Sequence, residues 1–550
     1  MVSRVPRGRS PLHRFLRKHR RDLIDGTTGP IVIVADDTSS DVIDLWSATA
    51  PGRVHVLSPR PPASRDVVWH ETTPKRGSYR VVEGIGDIGV IVDATTAGVL
   101  QRVINWEWLF FHVNTGGYYV SAEGARESGW VVATRLVGRQ HRSDRELDAL
   151  RMAMREQVST EGFTILPKVQ QHLWKTRDDT AAEVLQLRHP DLTVTDLDGL
   201  DAGEETSELV VVQHGGGEQP VPTASYAYPA ATLRAYEGEI VVASHLLASV
   251  GNSALPSSFR HAHVANLSNA RLENVNHQFA VARADDLRGV ERSGVYYDLN
   301  AGIPGHFGHT MTETVAKLWG WDAARSRKPL LKGYYRVPDA EFDTTYVSQL
   351  LTAYGIPEED IHFATENERV GEYVSASSLW HNAAPYHFHP GIREVWDRLR
   401  EALAREDRLS PRRLFVSRKP GVTSRECRNL DDVEKFFESR GFTVVYPEAL
   451  SLDAQATLFY NADDIAGFAG AAMFNLIFAG RRPRVTLLSH ESYTARNEQL
   501  IGASRARELH YFWSRADLAQ PKNRYSPEAF LSDWEFDFAR NEKPLDHLLS

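Results

Sequence analysis

Apolar residues along the chain follow two periods that alternate, one typical of strands and one of helices. Continuous apolar runs such as PIVIVADD (30–37) and RVTLLSH (484–490) predict buried strands. Between such runs, apolar positions three or four residues apart predict amphipathic helices, as in LDDVEKFFESR (430–440). Short helices between strands require crossover connections, so the pattern predicts an α/β fold with parallel sheets.

Changes in this pattern divide the chain into five predicted parts. A basic amino-terminal segment covers residues 1–28, and a Rossmann-like α/β domain covers 29–145. A charged, helix-prone stretch then predicts a helical connector over 146–217. Two further α/β domains follow over 218–395 and 396–550, and the last of them ends in a helix that folds back over the domain.

The domain over 29–145 weakly resembles Rossmann-like methyltransferases. In both, a helix leads through a pair of glycines, here Gly116 and Gly117, into a strand. The chain departs from that family where its first strand ends in Ala35, Asp36 and Asp37 instead of a glycine-rich turn that cradles the cofactor. We therefore interpret this part as a scaffold or a degenerate binding module, with methyl transfer as an alternative.

Composition narrows the class of protein. The single cysteine, Cys427, forms no internal disulfide, which fits a reducing compartment and excludes a disulfide-stapled secreted module. No apolar run approaches the ~20 residues that span a bilayer, and no signal peptide is recognisable. These features predict a cytoplasmic protein. The net charge of −9 argues against nucleic acid as the main partner, because binding phosphates requires a basic face.

The amino-terminal tip is strongly basic. Residues 1–21 hold eight Arg and Lys and no acidic residue. One interpretation is a peripheral contact with the anionic inner face of a membrane, in which basic side chains bind lipid headgroups and apolar ones insert. The residues concerned are Arg14, Arg17, Lys18 and Arg21, with Leu12, Phe15 and Leu16 inserting. The alternative is a disordered basic terminus.

The most informative stretch is LNAGIPGHFGHTMTETVAKLWGW (299–321), a glycine-containing loop that leads into a helix. His309 and Glu313 are four residues apart and share one face of that helix, with His306 three residues before His309. A histidine oriented by a carboxylate is a natural proton acceptor near neutral pH. Two alternatives remain open, namely a helix-capping histidine beside an exposed glutamate, and a metal site formed by all three residues.

A second group of histidines lies in the loop WHNAAPYHFHP (380–390). His381, His387 and His389 could bind a metal ion, but their spacing is not that of a known ligand set. The other interpretation is that they are surface or substrate-facing residues of a proline-flanked loop.

Two stretches of the last domain have the composition of an anion site. Arg418 follows the strand RRLFVSR, and the loop after it brings basic side chains to the carboxyl end of the strand, beside a helix amino terminus. These residues are Arg418, Lys419, Arg425 and Arg428, and Asn429 is the predicted cap of the helix. Fork-shaped guanidinium donors suit a diphosphate, although solvated surface arginines are the alternative.

The second stretch is GFAGAAMFN (467–475). Gly467 and Gly470 allow a close backbone approach at a turn from strand to helix, and Asn475 lies one helical turn further on. Tight packing between a helix and a sheet would need the same glycines.

In their order and spacing, these motifs resemble glycosyltransferase family 61 over about residues 230–514. The matching stretches are SALPSSFRH, GHFGHTMTE followed by LWGW, FVSRKPG with Arg425 and Asn429, FTVVYPEALSLDAQATLFYNAD, and GAAMFN. The resemblance implies a GT-B architecture, in which two Rossmann-like domains face each other across a cleft. It also implies inverting transfer from a nucleotide sugar without a required metal or other cofactor.

The resemblance assigns roles to residues of this chain. His309 and Glu313, with His306 beside them, are the implied acceptor-side group. The implied donor-side residues are Arg418, Lys419, Arg425, Asn429, Gly470 and Asn475. The chain departs from the family at Ala469, where a histidine usually stands, so donor preference and activity itself are open.

The function predicted from the sequence is an inverting hexosyl- or pentosyltransferase that moves a sugar from a nucleotide-sugar donor to a glycan or a cell-surface, for instance capsular, polysaccharide. His309 is the predicted base, and Glu313 in that role is the alternative. Two other functions remain open, namely a non-catalytic protein that binds glycans or nucleotide sugars, and a methyltransferase that acts through the amino-terminal domain.

Overall fold

The computed structural model describes all residues except 1–9, 37–38, 73–77, 97, 123–142, 217–218, 420–423 and 523–524. The chain forms two compact units. Unit 1 comprises residues 1–194, 237–243 and 247–289, and unit 2 comprises residues 195–236, 244–246 and 290–550. Within the described residues, no helix has the length and apolar character needed to cross a membrane.

A seven-stranded sheet forms the centre of unit 1. Five strands run parallel, and Phe163–Pro167 runs antiparallel to both of its neighbours. In spatial order the strands are Val68–Glu71, Val54–Ser58, Ile31–Val34, Ile88–Asp93, Val113–Ala122, Phe163–Pro167 and Val158–Thr160. The sheet confirms the predicted Rossmann-like α/β domain that precedes the rest of the fold.

Helices and a smaller group of strands complete unit 1. The helices are Pro11–Arg20, Ser40–Thr49, Ser78–Ile85, Val99–Leu109, Asp144–Ala153 and Ala181–Arg188, with short helical turns at Arg21–Asp25, Phe110–His112, Asp178–Thr180, Pro256–Ser258 and Ala284–Leu287. The smaller strands are Leu173–Lys175, Ala248–Val250, Ser253–Ala254, Leu272–Asn274 and Phe279–Ala282. The strand Ala231–Val242 belongs to unit 1 from Glu237 onward.

The expectation of a purely helical connector is wrong. The helical connector over 146–217 contains strands as well as helices, because Val158–Thr160 and Phe163–Pro167 extend the first sheet by pairing with Val113–Ala122 and with each other. Those pairings join residues distant in sequence, which local propensity does not reveal. The domain boundaries drawn on either side of the connector stay a prediction.

The basic segment is neither disordered beyond Ser10 nor free to insert apolar side chains into a lipid surface. Residues 11–20 form a helix capped by Ser10. Its Phe15 is fully buried, stacks on Phe163 with ring centroids 4.4 Å apart, and Leu16 is also buried. The basic side chains of Arg17 and Lys18 stay exposed. Apolar burial inside the unit therefore fixes this helix, and residues 1–9 lie outside the described part of the chain.

Unit 2 contains two sets of parallel strands, of which the first is part of a larger sheet. The first has the order Glu368–Ala376, Val290–Asp298, Leu331–Arg336, Ile361–Ala364. The second has the order Val210–His214, Glu508–Ser514, Arg484–His490, Asp464–Phe468, Arg413–Val416, Thr443–Val445. Further strands are Thr193–Leu200, Gly203–Thr206, Ser225–Tyr228, Trp380–His381, His387–Phe388 and the first part of Ala231–Val242.

Helices cover both sheets and pack into one large apolar core. The helices are Phe307–His309, Thr310–Thr314, Val315–Gly320, Trp321–Arg327, Thr345–Tyr354, Ile392–Leu403, Leu430–Glu438, Leu452–Asn461, Ala471–Phe478, Asn497–Arg505, Pro527–Phe530 and Phe538–Leu549, with short turns at Glu358–Asp360 and Pro447–Ala449. The pair of parallel sheets with flanking helices confirms the predicted architecture of two Rossmann-like domains.

Candidate functional site

The histidine motif lies at the carboxyl end of the strand Val290–Asp298, where a loop leads into a continuous helical run that begins at Phe307. The run changes from a first α-helical turn to a π-helical turn over Thr310–Thr314 and then to a tighter helix. Met311, Val315 and Leu318 face the core, as their spacing predicts. Single π-helical turns are frequent at functional sites, because they change the direction of side chains along a helix.

His309 and Glu313 form a close pair within this turn. The Nδ1 of His309 lies 2.7 Å from Oε1 of Glu313, and Oε2 of Glu313 accepts the backbone N–H of Gly302 at 2.6 Å. Because a carboxylate can only accept, Nδ1 carries the proton and Nε2 is left as the basic nitrogen. Glu313 is buried, so the alternative of an exposed glutamate beside a capping histidine is wrong.

The capping role belongs to His306 instead. Its Nδ1 accepts the backbone N–H of His309 at 3.4 Å, at the first turn of the helical run. Partial burial, together with the nearby charges of His309 and Arg425, lowers the pKa of His306. His306 is therefore neutral near neutral pH and lies close to the arginine side of the site.

A tyrosine network fixes the loop before the helix. The hydroxyl of Tyr346 donates to the carbonyl of Gly305 at 2.8 Å, and the hydroxyl of Thr310 lies 2.6 Å from that of Tyr335. Thr310 also donates to the carbonyl of His306 at 3.2 Å. The loop that positions His306 and His309 is thus held by buried hydroxyl groups and does not depend on surface contacts.

The arginines gather at the carboxyl edge of the second sheet of unit 2. Arg418 follows the strand Arg413–Val416, and its Nη2 donates to the carbonyl of Ala469. Burial, reinforced by the neighbouring charge of Arg425, lowers the pKa of Arg418 to about 10. A partly buried pair of guanidinium groups favours an anion, because an anion relieves their mutual repulsion.

Arg425 is held by aromatic rings more than by hydrogen bonds. Its guanidinium carbon lies 4.9 Å from the ring centre of Tyr493 and 5.4 Å from that of Phe530. Its backbone has a φ of 57°, an unusual conformation for a side chain of this size. The Nε of Arg425 is buried and has no hydrogen-bond partner among the described residues. Stacking therefore orients the guanidinium and leaves its donors available.

Gly470 lets both arginines approach the backbone. It has a φ of 147°, and a Cβ placed there would lie 2.3 Å from Nη2 of Arg418 and 3.3 Å from Nη2 of Arg425. A side chain at this position would displace the guanidinium groups. The close approach predicted for the GFAGAAMFN turn is thus made by protein side chains.

The histidine loop and the glycine turn are in direct contact within unit 2. A Cβ at Gly308 would lie 3.0 Å from the Cβ of Ala471 and 3.1 Å from a ring carbon of Phe474. The turn that carries His309 therefore packs against the Gly470 turn, whose Ala469 carbonyl accepts a hydrogen bond from Arg418. Two motifs more than a hundred residues apart in sequence are thus in contact.

Three predicted donor-side residues have other roles or positions. The amide of Asn429 donates to the carbonyl of Phe536 at 2.9 Å and accepts its N–H at 2.9 Å, and it makes no side-chain cap to the helix it precedes. Asn475 is fully buried and donates to Gln455 at 2.8 Å. Lys419 is exposed, with its backbone N–H bound to Glu448. Other residues of the protein bind the side chain of Asn429 and enclose that of Asn475, and the donor-side role of both asparagines stays a prediction.

Three residues of the site were not expected from the sequence. Tyr493 stacks on Arg425 and donates its hydroxyl to Oε1 of Glu498 at 3.0 Å. Burial raises the pKa of Glu498, which is fully buried beside Gly470. His490 ends the strand next to Ala469 and is 1% exposed. Single residues of this kind carry no local signal in the sequence, and only the fold brings them to the arginines.

The histidine loop at 380–390 has an unrelated structure. The rings of His381 and His387 stack with centroids 4.4 Å apart on a two-stranded hairpin, and each Nδ1 bonds a backbone carbonyl. Within the part of the chain that the structure describes, no group of three or more His, Cys, Asp or Glu side chains could hold a metal ion. The metal interpretations of this loop and of His306, His309 and Glu313 therefore have no support.

Comparisons with known proteins bear on this site. No curated protein matches the chain at a significant level. Three solved structures of the MycE methyltransferase from the mycinamycin biosynthetic pathway resemble part of the fold, and each match covers 28% of this chain. The complex with Mg and SAH matches in crystal form 1 with 13% identity, a TM-score of 0.22 and 46% of its own chain covered, and in crystal form 2 with 11% identity, a TM-score of 0.21 and 47% covered. The complex with Mg, SAH and mycinamycin VI matches with 10% identity, a TM-score of 0.21 and 48% of its own chain covered.

The chain spans about half the length of those structures. The family described as Glycosyltransferase 61 matches residues 307–486, a range that includes His309, Glu313, Arg418, Arg425 and Gly470. Over residues 307–486 the chain is therefore similar to glycosyltransferase family 61.

Proposed function

We propose that the protein transfers a hexosyl or pentosyl group from a nucleotide-sugar donor to a hydroxyl of a glycan or cell-envelope polysaccharide, with inversion at the anomeric carbon and without a metal ion. The observation that carries the proposal is the contact between two turns, one bearing an oriented histidine and the other lying against a pair of guanidinium groups. Glycosyl transfer needs a base for the acceptor and a positive site for the departing diphosphate, and these turns supply both.

His309 acts as the base in this proposal. As the acceptor oxygen bonds to the anomeric carbon, its proton passes to Nε2 of His309, and the bond from that carbon to the diphosphate oxygen breaks. Glu313 stabilises the imidazolium through Nδ1, since its Oε1 lies 2.7 Å away. Attack opposite to the leaving group inverts the configuration at the anomeric carbon.

Arg418 and Arg425 bind the diphosphate in this proposal. The two guanidinium groups lie near each other in a partly buried site, so the electrostatic stabilisation of a developing negative charge is greater there than in water. Arg418 is fixed by Ala469 and Arg425 by two aromatic rings, so neither needs to reorganise when the charge develops. The arginines thus supply the charge that a divalent cation supplies in other transferases.

The alternative assignment, with Glu313 as the base, has less support. One oxygen of Glu313 binds His309 and the other binds the backbone of Gly302. Its carboxylate is buried, whereas the His309 side chain retains 20% exposure. A base must reach the acceptor hydroxyl, and His309 has the more accessible basic atom.

A second candidate function is a binding protein that recognises nucleotide sugars without turnover, and the alanine at position 469 favours it. Turnover separates the two functions. A panel of nucleotide sugars is incubated with the full-length protein, with a mixture of glycan acceptors, and with or without a chelator. Release of nucleoside diphosphate from one donor in the presence of chelator supports the transferase. Affinity for a donor with no release by any donor and acceptor pair supports the binding protein.

A further inference from the structure

His490 is a buried histidine at the carboxyl edge of the second sheet of unit 2. It ends the strand Arg484–His490, whose neighbouring strand is followed by Ala469 and Gly470. Neither ring nitrogen has a hydrogen-bond partner among the described residues, and the ring is 1% exposed. Buried polar atoms are nearly always paired, so two unpaired nitrogens on one ring indicate a partner that the described residues do not provide.

The charges around His490 indicate what that partner is. Arg418 and Arg425 are near enough to disfavour the protonated ring, and Asp517 and Asp533 act more weakly in the opposite direction. Burial and the two arginines lower the pKa of His490 to about 4. The rings of Trp534 and Tyr493 lie 5.9 and 6.4 Å away and fix its plane. The unpaired donor is therefore held beside the guanidinium groups assigned to the diphosphate.

We propose that His490 is a third ligand of the donor diphosphate, donating a hydrogen bond from its ring to a phosphate oxygen between Arg418 and Arg425. The proposal rests on the proposed function, because it assigns a role within the same donor site. A diphosphate would neutralise the guanidinium charges, which add to the effect of burial in keeping the ring unprotonated. Binding would then favour the imidazolium form, so His490 would take up a proton as the ligand binds.

The proton uptake gives a readout that a merely structural role would not produce. We would measure the affinity of the full-length protein for UDP and for GDP by calorimetry between pH 5.5 and 8.5. The same measurement is made on His490→Asn, which keeps a hydrogen-bond donor but cannot titrate. Its pH dependence comes from the ligand's own phosphate and is subtracted from that of the wild type. The wild-type affinity is expected to rise relative to that of His490→Asn as the pH falls.

Two further variants complete the test. His490→Leu removes the donor and is expected to weaken binding roughly 10- to 100-fold, in line with the usual strength of a hydrogen bond to a charged group. His214→Leu is the matched control, because His214 ends another strand of the same sheet and its ring bonds that of His510. The control is expected to bind like the wild type. Thermal melting of each variant checks that it folds.

Each outcome has a defined meaning. If the wild type binds UDP or GDP, and both His490 variants show the wild-type affinity and pH dependence, the role of His490 is overturned while the proposed function stands. If His490→Asn retains the full pH dependence, proton uptake occurs elsewhere and the proposal fails. If the wild type binds neither nucleotide, the donor site itself is overturned, and His490 with it.

Discussion

The Nδ1 of His309 lies 2.7 Å from Oε1 of Glu313, and the other oxygen of that carboxylate holds the backbone of Gly302. The glutamate thus fixes both the tautomer of the histidine and the loop that leads to it. Because Nδ1 is committed to the carboxylate, the basic Nε2 has a defined position relative to the helix.

Replacing Glu313 by glutamine should therefore reduce kcat more than it changes the affinity for the donor. A glutamine is neutral and cannot stabilise the imidazolium that forms during transfer, so we expect kcat to fall on the order of 10²- to 10⁴-fold. Steady-state kinetics with the preferred donor measure this, and thermal melting checks the fold. An unchanged kcat with a raised KM would show that Glu313 serves the structure alone.

Substituting Gly470 by alanine should damage the donor site. The new Cβ would lie 2.3 Å from Nη2 of Arg418, and the φ of 147° strains any residue other than glycine. We expect the affinity for a nucleoside diphosphate to fall at least about tenfold, equivalent to about 1.4 kcal/mol. Gly371→Ala is the matched control, since a Cβ there meets no atom within 4 Å. Equal affinities of the two variants would refute the claim that the close approach of Arg418 to Gly470 is needed for diphosphate binding.

Asn429 is expected to stabilise the fold without binding the donor. Its side chain makes two hydrogen bonds to the backbone of Phe536, so Asn429→Ala leaves a buried N–H and carbonyl without partners. The free energy of unfolding should fall by about 1–3 kcal/mol. Denaturant titration measures the loss, and calorimetry with a nucleoside diphosphate should give the wild-type affinity. Weaker binding at unchanged stability would restore the donor-side role implied by the family resemblance.

Stability should fall in mild acid because of two histidines of unit 1. Burial lowers the pKa of His112 and of His172 well below 6.5, with the charge of Lys168 acting in the same direction. The unfolded chain therefore binds protons that the folded chain rejects. The contribution of these residues is complete above about pH 6.5 and is lost as the pH falls further. Melting temperatures between pH 5 and 8 test this, and His112→Leu should flatten the dependence.

Local pattern was sufficient for much of the fold and for one half of the site. The strands and helices of residues 396–520 follow from apolar spacing, and the pairing of His309 with Glu313 follows from their separation of four residues. These are relationships within a few residues, where propensity and periodicity act directly.

The rest depends on contacts between distant parts of the chain. The strand Val210–His214 pairs with Glu508–Ser514, almost three hundred residues later, and the local sequence does not predict this pairing. The positions of Asn429, Tyr493 and His490 follow from how strands and the C-terminal segment pack. The family resemblance assigned Asn429 to the donor side, and its position before a helix predicted a cap, whereas in the structure its side chain bonds the backbone of Phe536.

His309 and Arg418 have separate roles in the proposed reaction: His309 accepts the proton of the acceptor, and Arg418 binds the diphosphate. The most direct test measures donor turnover and the affinity for a nucleoside diphosphate in His309→Ala and Arg418→Ala. His362→Ala is the control, because His362 forms another His–Glu pair, with Glu368, in the same unit. His309→Ala should lose turnover on the order of 10²- to 10⁴-fold and keep its affinity, while Arg418→Ala should lose affinity. Full turnover in His309→Ala, or unchanged affinity in Arg418→Ala, would contradict the account.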